Sequence, residues 1–149
     1  MPTYVLDTSV AVKWFHRPKE LHVSQAKRIW QDLGSSKISI ILPDILFLEL
    51  LNVFINGKGA SHESSYSILS ELYRSQVTIL DVSLPVLEIA ARLMKQYSLA
   101  SYDAYFLALA QYEDCKLISD DYKAHGKVKD GTVIMLDQYS NATDIPIVK

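Results

Sequence analysis

The chain has 149 residues, of which 49% are hydrophobic and 21% charged, enough for one compact domain burying roughly two-thirds of its unfolded surface. A net charge of −2 excludes the broad basic face that holds duplex DNA by counterion release, so any nucleic-acid contact must be local. The lone cysteine, Cys115, has no internal disulfide partner, and no Cys/His cluster has zinc-ligand spacing.

In chain order, Thr3 to Leu6 reads as a strand that runs into Asp7, and Ser9 to Phe15 and His22 to Leu33 read as helices. Ile38 to Leu42 is the next strand, followed by a helix over Asp44 to Asn56. After Gly57-Lys58-Gly59 a second helix, Ser61 to Arg74, completes a helical hairpin. A strand at Val77 to Leu80, helices at Leu84 to Met94 and Tyr102 to Glu113, and strands at Lys116 to Ser119 and Thr132 to Leu136 complete the pattern. The segment from Ser140 to Lys149 has no clear pattern and is expected to be loosely held. This alternation predicts a single α/β domain over residues 1–149, with a mainly parallel sheet and helices on its faces. The start, Met1-Pro2-Thr3-Tyr4, lacks a basic and apolar leader. The longest apolar stretch, Ile45 to Ile55, is broken by Glu49 and is too short to span a bilayer. A soluble, cytoplasmic protein is the expectation.

Ligands of open parallel sheets bind in the crevice beyond the carboxyl ends of the strands, and Asp7 stands at such an end. Its alternative role is to cap the following helix, a job that Thr8 or Ser9 could also do. Glu49 lies in "DILFLELLNVFIN", where nine of thirteen residues are apolar, so an unpaired charge is costly. Glu49, Asn52 and Asn56 share one helical stripe, either a solvent-facing edge or the polar lining of a cleft. Asp103 heads an apolar stripe continued by Phe106, Leu107 and Ala110 and so points along the face toward the sheet, although capping the helix or favouring its dipole is the commoner use of a first-turn acid. Asp120 and Asp121 follow the strand "KLIS", again at a carboxyl end, where capping a short helix is the plain reading. Independent caps have no reason to converge, whereas three or four carboxylates around one cleft make an oxygen-rich site for Mg²⁺ or Mn²⁺. Asp81 and Asp137 also follow strands and have equal standing on position alone.

The ordered motifs "LDTSVAVKWF", Glu49 with Asn52 on a helix after Pro43, "YDAYFLALA" and "LISDD" resemble the PIN-domain family, and more narrowly the VapC toxins of toxin–antitoxin pairs. The resemblance runs from about Tyr4 to Tyr139 and implies a three-layer α/β/α sandwich around a mainly parallel sheet. It implies that Asp7, Glu49, Asp103 and Asp121 cluster at one end of the sheet, bind Mg²⁺ or Mn²⁺ and cleave RNA. Asp81 and Asp137 have no counterpart in the family pattern. Where the family carries Thr-x-Asp, this chain has Ser119-Asp120-Asp121, and Asp121 keeps the spacing from the hydroxyl. Asp7 and Asp103 are the first choice as direct ligands. Thr8, Ser9, Asn52 and Ser119 are placed to orient ligands, water or a phosphate. The resemblance also implies a cognate antitoxin lying across helices near the site, and a homodimer.

The remaining polar residues carry plainer expectations. His16, His22, His62 and His125 lack paired spacing and are expected at the surface or in loops. Lys13 and Arg17 are read as solvated, with contact to substrate phosphates as the alternative. Trp14 and Phe15 are expected in the core or an interface rather than as base-stacking platforms. Two other classes compete with the nuclease reading. One is a PIN-fold binding or regulatory protein with a weak or inactive metal site. The other is an aspartyl-phosphate enzyme or switch. Thr8-Ser9 after Asp7 lacks the second aspartate of haloacid-dehalogenase-like phosphatases, and no acid pair precedes the first helix as in receiver domains.

Overall fold

The structure, a computed structural model, describes residues 1–15 and 20–140. The expectations for His16, Arg17 and the segment after Ser140 lie outside the described residues.

Five strands form the sheet: β1 (Thr3–Leu6), β2 (Ser39–Pro43), β3 (Thr78–Leu80), β4 (Lys116–Ser119) and β5 (Val133–Met135). Their order is β3-β2-β1-β4-β5, and every pairing is parallel, with Val5 opposite both Ile41 and Leu117. Val5, Leu6, Leu42, Leu117 and Ile118 have no exposed surface, as strands covered on both faces require. The helices are α1 (Thr8–Ala11), α2 (Val23–Gly34), α3 (Ile45–Asn52), α4 (His62–Tyr73), α5 (Leu84–Tyr97), α6 (Ser101–Tyr112) and α7 (Tyr122–His125). The result is a PIN-like α/β/α architecture. No helix among the described residues is long and apolar enough to cross a membrane.

The chain builds outward from β1 on one side through β2 and β3, then returns to the other side of β1 for β4 and β5. The order therefore reverses between β1 and β4, and successive connections leave a crevice at their carboxyl ends. α6 packs on both of these strands. It is buried continuously from Ala104 to Ala110, not along the single stripe read from the sequence, because α5 covers it from outside.

Three local departures from expectation have physical causes. α1 is a single turn that tightens into a 3-10 turn over Val12–Phe15, where Trp14 meets Trp30 and Phe15 meets Phe54 edge to face. The helix expected over Asp44 to Asn56 is α-helical only to Asn52, then widens into a π-turn over Val53–Gly57. A third element, α7, comes directly after β4; four residues are too few to show any periodicity. Its close depends on Gly126, where a Cβ would lie 2.6 Å from the carbonyl oxygen of Tyr122.

Phe106 is 1% exposed in the middle of α6. Phe106→Ala is expected to lower the unfolding free energy by about 3–5 kcal/mol in a urea titration. A loss below about 1 kcal/mol would contradict this packing.

Candidate metal centre

Each acid reaches the β1–β4 crevice from a different element. Asp7 follows β1 directly, and its backbone N–H donates to the Ile118 carbonyl on β4 at 3.0 Å, which pins it across the switch point. Its side chain is 4% exposed, and Oδ2 accepts from the Ser9 N–H at 3.0 Å. Capping and clustering are thus one geometry, since the helix N-terminus holds the carboxylate in place. Glu49, half-buried on α3, accepts at Oε1 from the Thr8 hydroxyl at 2.9 Å. Asp103 lies in the first turn of α6. Asp121 caps α7 by accepting from the Ala124 N–H at 3.0 Å.

The sequence leaves Asp120 and Asp121 as alternatives, and the geometry separates them. Asp120 is committed elsewhere: Lys13 lies 3.2 Å from its Oδ2 and His22 Nδ1 lies 2.8 Å from its Oδ1. Lys13 is therefore neither simply solvated nor free for a phosphate. The Asp120 N–H also donates to Ser9 Oγ at 2.9 Å, tying β4 back to α1. Asp121 instead lines a groove with Asp103, Ser98, Lys123 and Lys127. A second groove is lined by Thr8, Leu48, Glu49, Asn52 and Tyr102. Asn52 is exposed there and accepts from Asn56 Nδ2 at 2.6 Å; of the polar stripe Glu49, Asn52 and Asn56, the first two line this groove. Each groove takes one lining residue from the first turn of α6, Asp103 in the first and Tyr102 in the second.

His125 corrects an expectation. It is neither at the surface nor in an open loop but fully buried on α7. Ligand atoms of Asp7, Asp103 and His125 lie within 4.8 Å of one another, the one such group of acids and histidines among the described residues. Both ring nitrogens are already engaged, Nδ1 with Ser119 Oγ at 2.7 Å and Nε2 with the backbone oxygen of Asp103 at 3.0 Å. The donor atoms left open to an ion are therefore carboxylate oxygens, which suit a hard divalent cation such as Mg²⁺ or Mn²⁺. Sequence reading missed His125 because its position depends on a one-turn helix. The available signal was Asp121 three residues before Ala124, the spacing of an N-cap that would turn the chain back toward Ser119.

Gathering these acids is electrostatically costly. Burial is the first cause holding Glu49 above the usual carboxylate range; the Thr8 hydrogen bond opposes it, and the charges of Asp7 and Asp103 add to it. Burial also leads in raising Asp103, followed by Asp7 and with a smaller push from Asp121, while His125 and Lys127 act in the opposite direction.

The family model described as PIN domain matches residues 4–129. No curated protein sequence matches the chain. Among solved structures, the chain is similar to VapBC2 from Rickettsia felis bound to a promoter DNA fragment, at 19% identity and a TM-score of 0.67, covering 89% of this chain and 98% of that one. A toxin–antitoxin complex from Klebsiella pneumoniae matches at 22% identity and 0.63, covering 89% and 97%. The Mycobacterium tuberculosis toxin VapC20, described as cleaving the sarcin-ricin loop, matches at 15% identity and 0.64, covering 84% and 96%. At these identities the likeness is one of fold.

The repulsion is measurable in metal-free protein. A carboxyl whose pKa is raised by folding binds more protons folded than unfolded, so stability falls as pH rises from the ordinary carboxylate range through the raised value. Asn at 103 and Gln at 49 mimic the protonated acids. Metal-free Asp103→Asn/Glu49→Gln protein is expected to melt above wild type at pH 7, by about 2–4 °C for each kcal/mol of repulsion relieved. The gap should close as pH falls toward 4.5, the ordinary glutamate value. A double variant that melts below wild type at pH 7 would contradict this electrostatic account.

Proposed function

The chain belongs to the PIN-domain family, and from that premise we propose that it is a divalent-metal-dependent endoribonuclease of the VapC type, restrained by an antitoxin. The single observation that supports this most is the convergence of Asp7, Glu49, Asp103 and Asp121, from four separate elements, on the crevice where strand order reverses.

Asp7 and Asp103, whose oxygens approach within 4.8 Å, are the residues that hold Mg²⁺ or Mn²⁺. Glu49 and Asp121 complete the oxygen set from either side, each with one oxygen already fixed by Thr8 or by the α7 cap. The bound ion supplies a water of lowered pKa and neutralises charge on phosphate oxygens. Thr8 and Ser9 hold Glu49 and Asp7 in place through neutral hydrogen bonds, so neither carboxylate needs to reorganise when the charge arrives. Ser119 does the same for the backbone of Asp121, whose N–H donates to its hydroxyl at 3.1 Å. Lys123 and Lys127, beside Asp103 and Asp121, have no carboxylate within ion-pair distance among the described residues and supply positive charge for an RNA phosphate.

The antitoxin face is read from α3 and the turn after it. Leu48 is 71% exposed, and Leu51 and Ile55 also face solvent, an apolar row beside the Glu49 groove. A segment laid over that row would obstruct the cleft. The Klebsiella pneumoniae neighbour is described as a toxin–antitoxin complex, which agrees with a partner of this kind. Self-association as a homodimer is part of the same proposal.

Purified protein is expected to cleave RNA with Mg²⁺ or Mn²⁺ and to stop when the metal is chelated. Asp7→Asn and Asp103→Asn should each reduce the rate at least ~100-fold while retaining the wild-type circular dichroism spectrum. Cleavage that survives chelation or both substitutions would overturn the assignment. Failure of wild type to cut any member of a total-RNA pool with either ion would favour a binding role for the fold.

A further inference from the structure

We propose that His125 is a positioning residue of the metal centre: it fastens the backbone of Asp103 to the end of β4 and so sets the spacing of Asp103 and Asp121, without ligating the ion. The proposal rests on the metal-dependent reading of the acidic cluster and assigns a role to a residue outside that cluster.

The hydrogen bonds fix which nitrogen of the His125 ring must carry a proton. The Asp103 backbone oxygen can only accept, so His125 Nε2, 3.0 Å away, carries a proton. At the other end, Ser119 Oγ accepts the Asp121 N–H at 3.1 Å and is hydrogen-bonded to His125 Nδ1, 2.7 Å away. The relay runs from the Asp121 main chain through Ser119 and the imidazole to the Asp103 main chain. Each end is the backbone of a carboxylate-bearing residue, and these two carboxylates repel each other. A second tie reinforces it, because the His125 N–H donates to the Asp121 carbonyl at 2.8 Å. A fully buried bridge thus joins the first turn of α6 to the β4–α7 corner.

Proximity alone nominates His125 as a third ligand beside Asp7 and Asp103. The hydrogen bonds argue against that use. Coordination through Nε2 would remove its proton and break the tie to the Asp103 carbonyl, while Nδ1 faces Ser119. A nitrogen ligand would also shift preference toward Zn²⁺ or Ni²⁺, whereas a positioning histidine leaves an oxygen-only site that favours Mg²⁺ or Mn²⁺.

The test is Mn²⁺ affinity by calorimetry on the full chain, with melting temperature measured in parallel. His125→Phe keeps a ring but loses both bonds, and should weaken Mn²⁺ binding at least ~10-fold while remaining folded. His125→Gln offers an acceptor and a donor on one amide and should recover most of the affinity. Ser119→Ala, which cuts the other end of the relay, should also weaken binding and serves in place of His125→Phe if that variant does not fold. Nitrogen-15 NMR of the His125 ring should show a protonated Nε2 both without metal and with saturating Mg²⁺. Variants that bind within twofold of wild type, or loss of the Nε2 proton on Mg²⁺ binding, would overturn the proposal. Failure of the metal-dependent reading itself is distinguishable, because wild type alone would then show no Mn²⁺ isotherm.

Discussion

The structure depends on holding negatively charged groups together before anything neutralises them. Burial removes water from Glu49 and Asp103 and is the larger penalty, and Asp7, Glu49 and Asp103 also stand close enough to feel one another's charge. Among the described residues no lysine or arginine forms an ion pair with Asp7, and Lys13 is spent on Asp120. What holds the cluster is a set of hydrogen bonds: Ser9 to Asp7, Thr8 to Glu49, Ala124 to Asp121, and His125 to the Asp103 backbone. Such ties fix oxygen positions without cancelling their charge, which leaves the attraction for a divalent ion intact.

Topology makes the gathering possible. With the order β3-β2-β1-β4-β5, the segments after β1, β2 and β4 and the helix before β4 all reach the same end of the sheet. The fully parallel ladder matters here, because only parallel strands deliver their carboxyl ends to one edge. The cost is met by a dry interior: α6 is buried from Ala104 to Ala110, and Val5, Leu6, Leu117 and Ile118 on the central strands are fully covered. A rigid α6 in turn gives Asp103 a fixed platform.

Much of this is legible from residue order, and the exceptions come from contacts between elements. The five strands are readable because β-branched and apolar runs ending in Asp, Pro or Ser are locally distinctive, as at Thr3 to Leu6 and Lys116 to Ser119. That Asp7 and Asp121 stand beyond strand ends comes with them. The stripe on α6 is underestimated because amphipathic spacing describes a helix with one covered face, and α6 has two. The π-turn after Asn52 is hidden because apolar residues continue through Phe54 and Ile55 without a breaker. His125 is unreadable for a different reason. Its burial depends on one turn closing between Asp121 and Gly126, and its partners Ser119 and Asp103 belong to other elements. Likewise, only three-dimensional placement of Lys13 and His22 distinguishes Asp120 from Asp121.

The most direct test of the central claim is a crystal structure grown with Mn²⁺ and measured at a wavelength where manganese scatters anomalously. The account predicts an anomalous peak between the carboxylates of Asp7 and Asp103, at roughly 2.0–2.2 Å from their nearest oxygens, with oxygen-only coordination. A crystal saturated with Mn²⁺ that shows no peak there, or shows the ion bound through His125 Nε2, would contradict it.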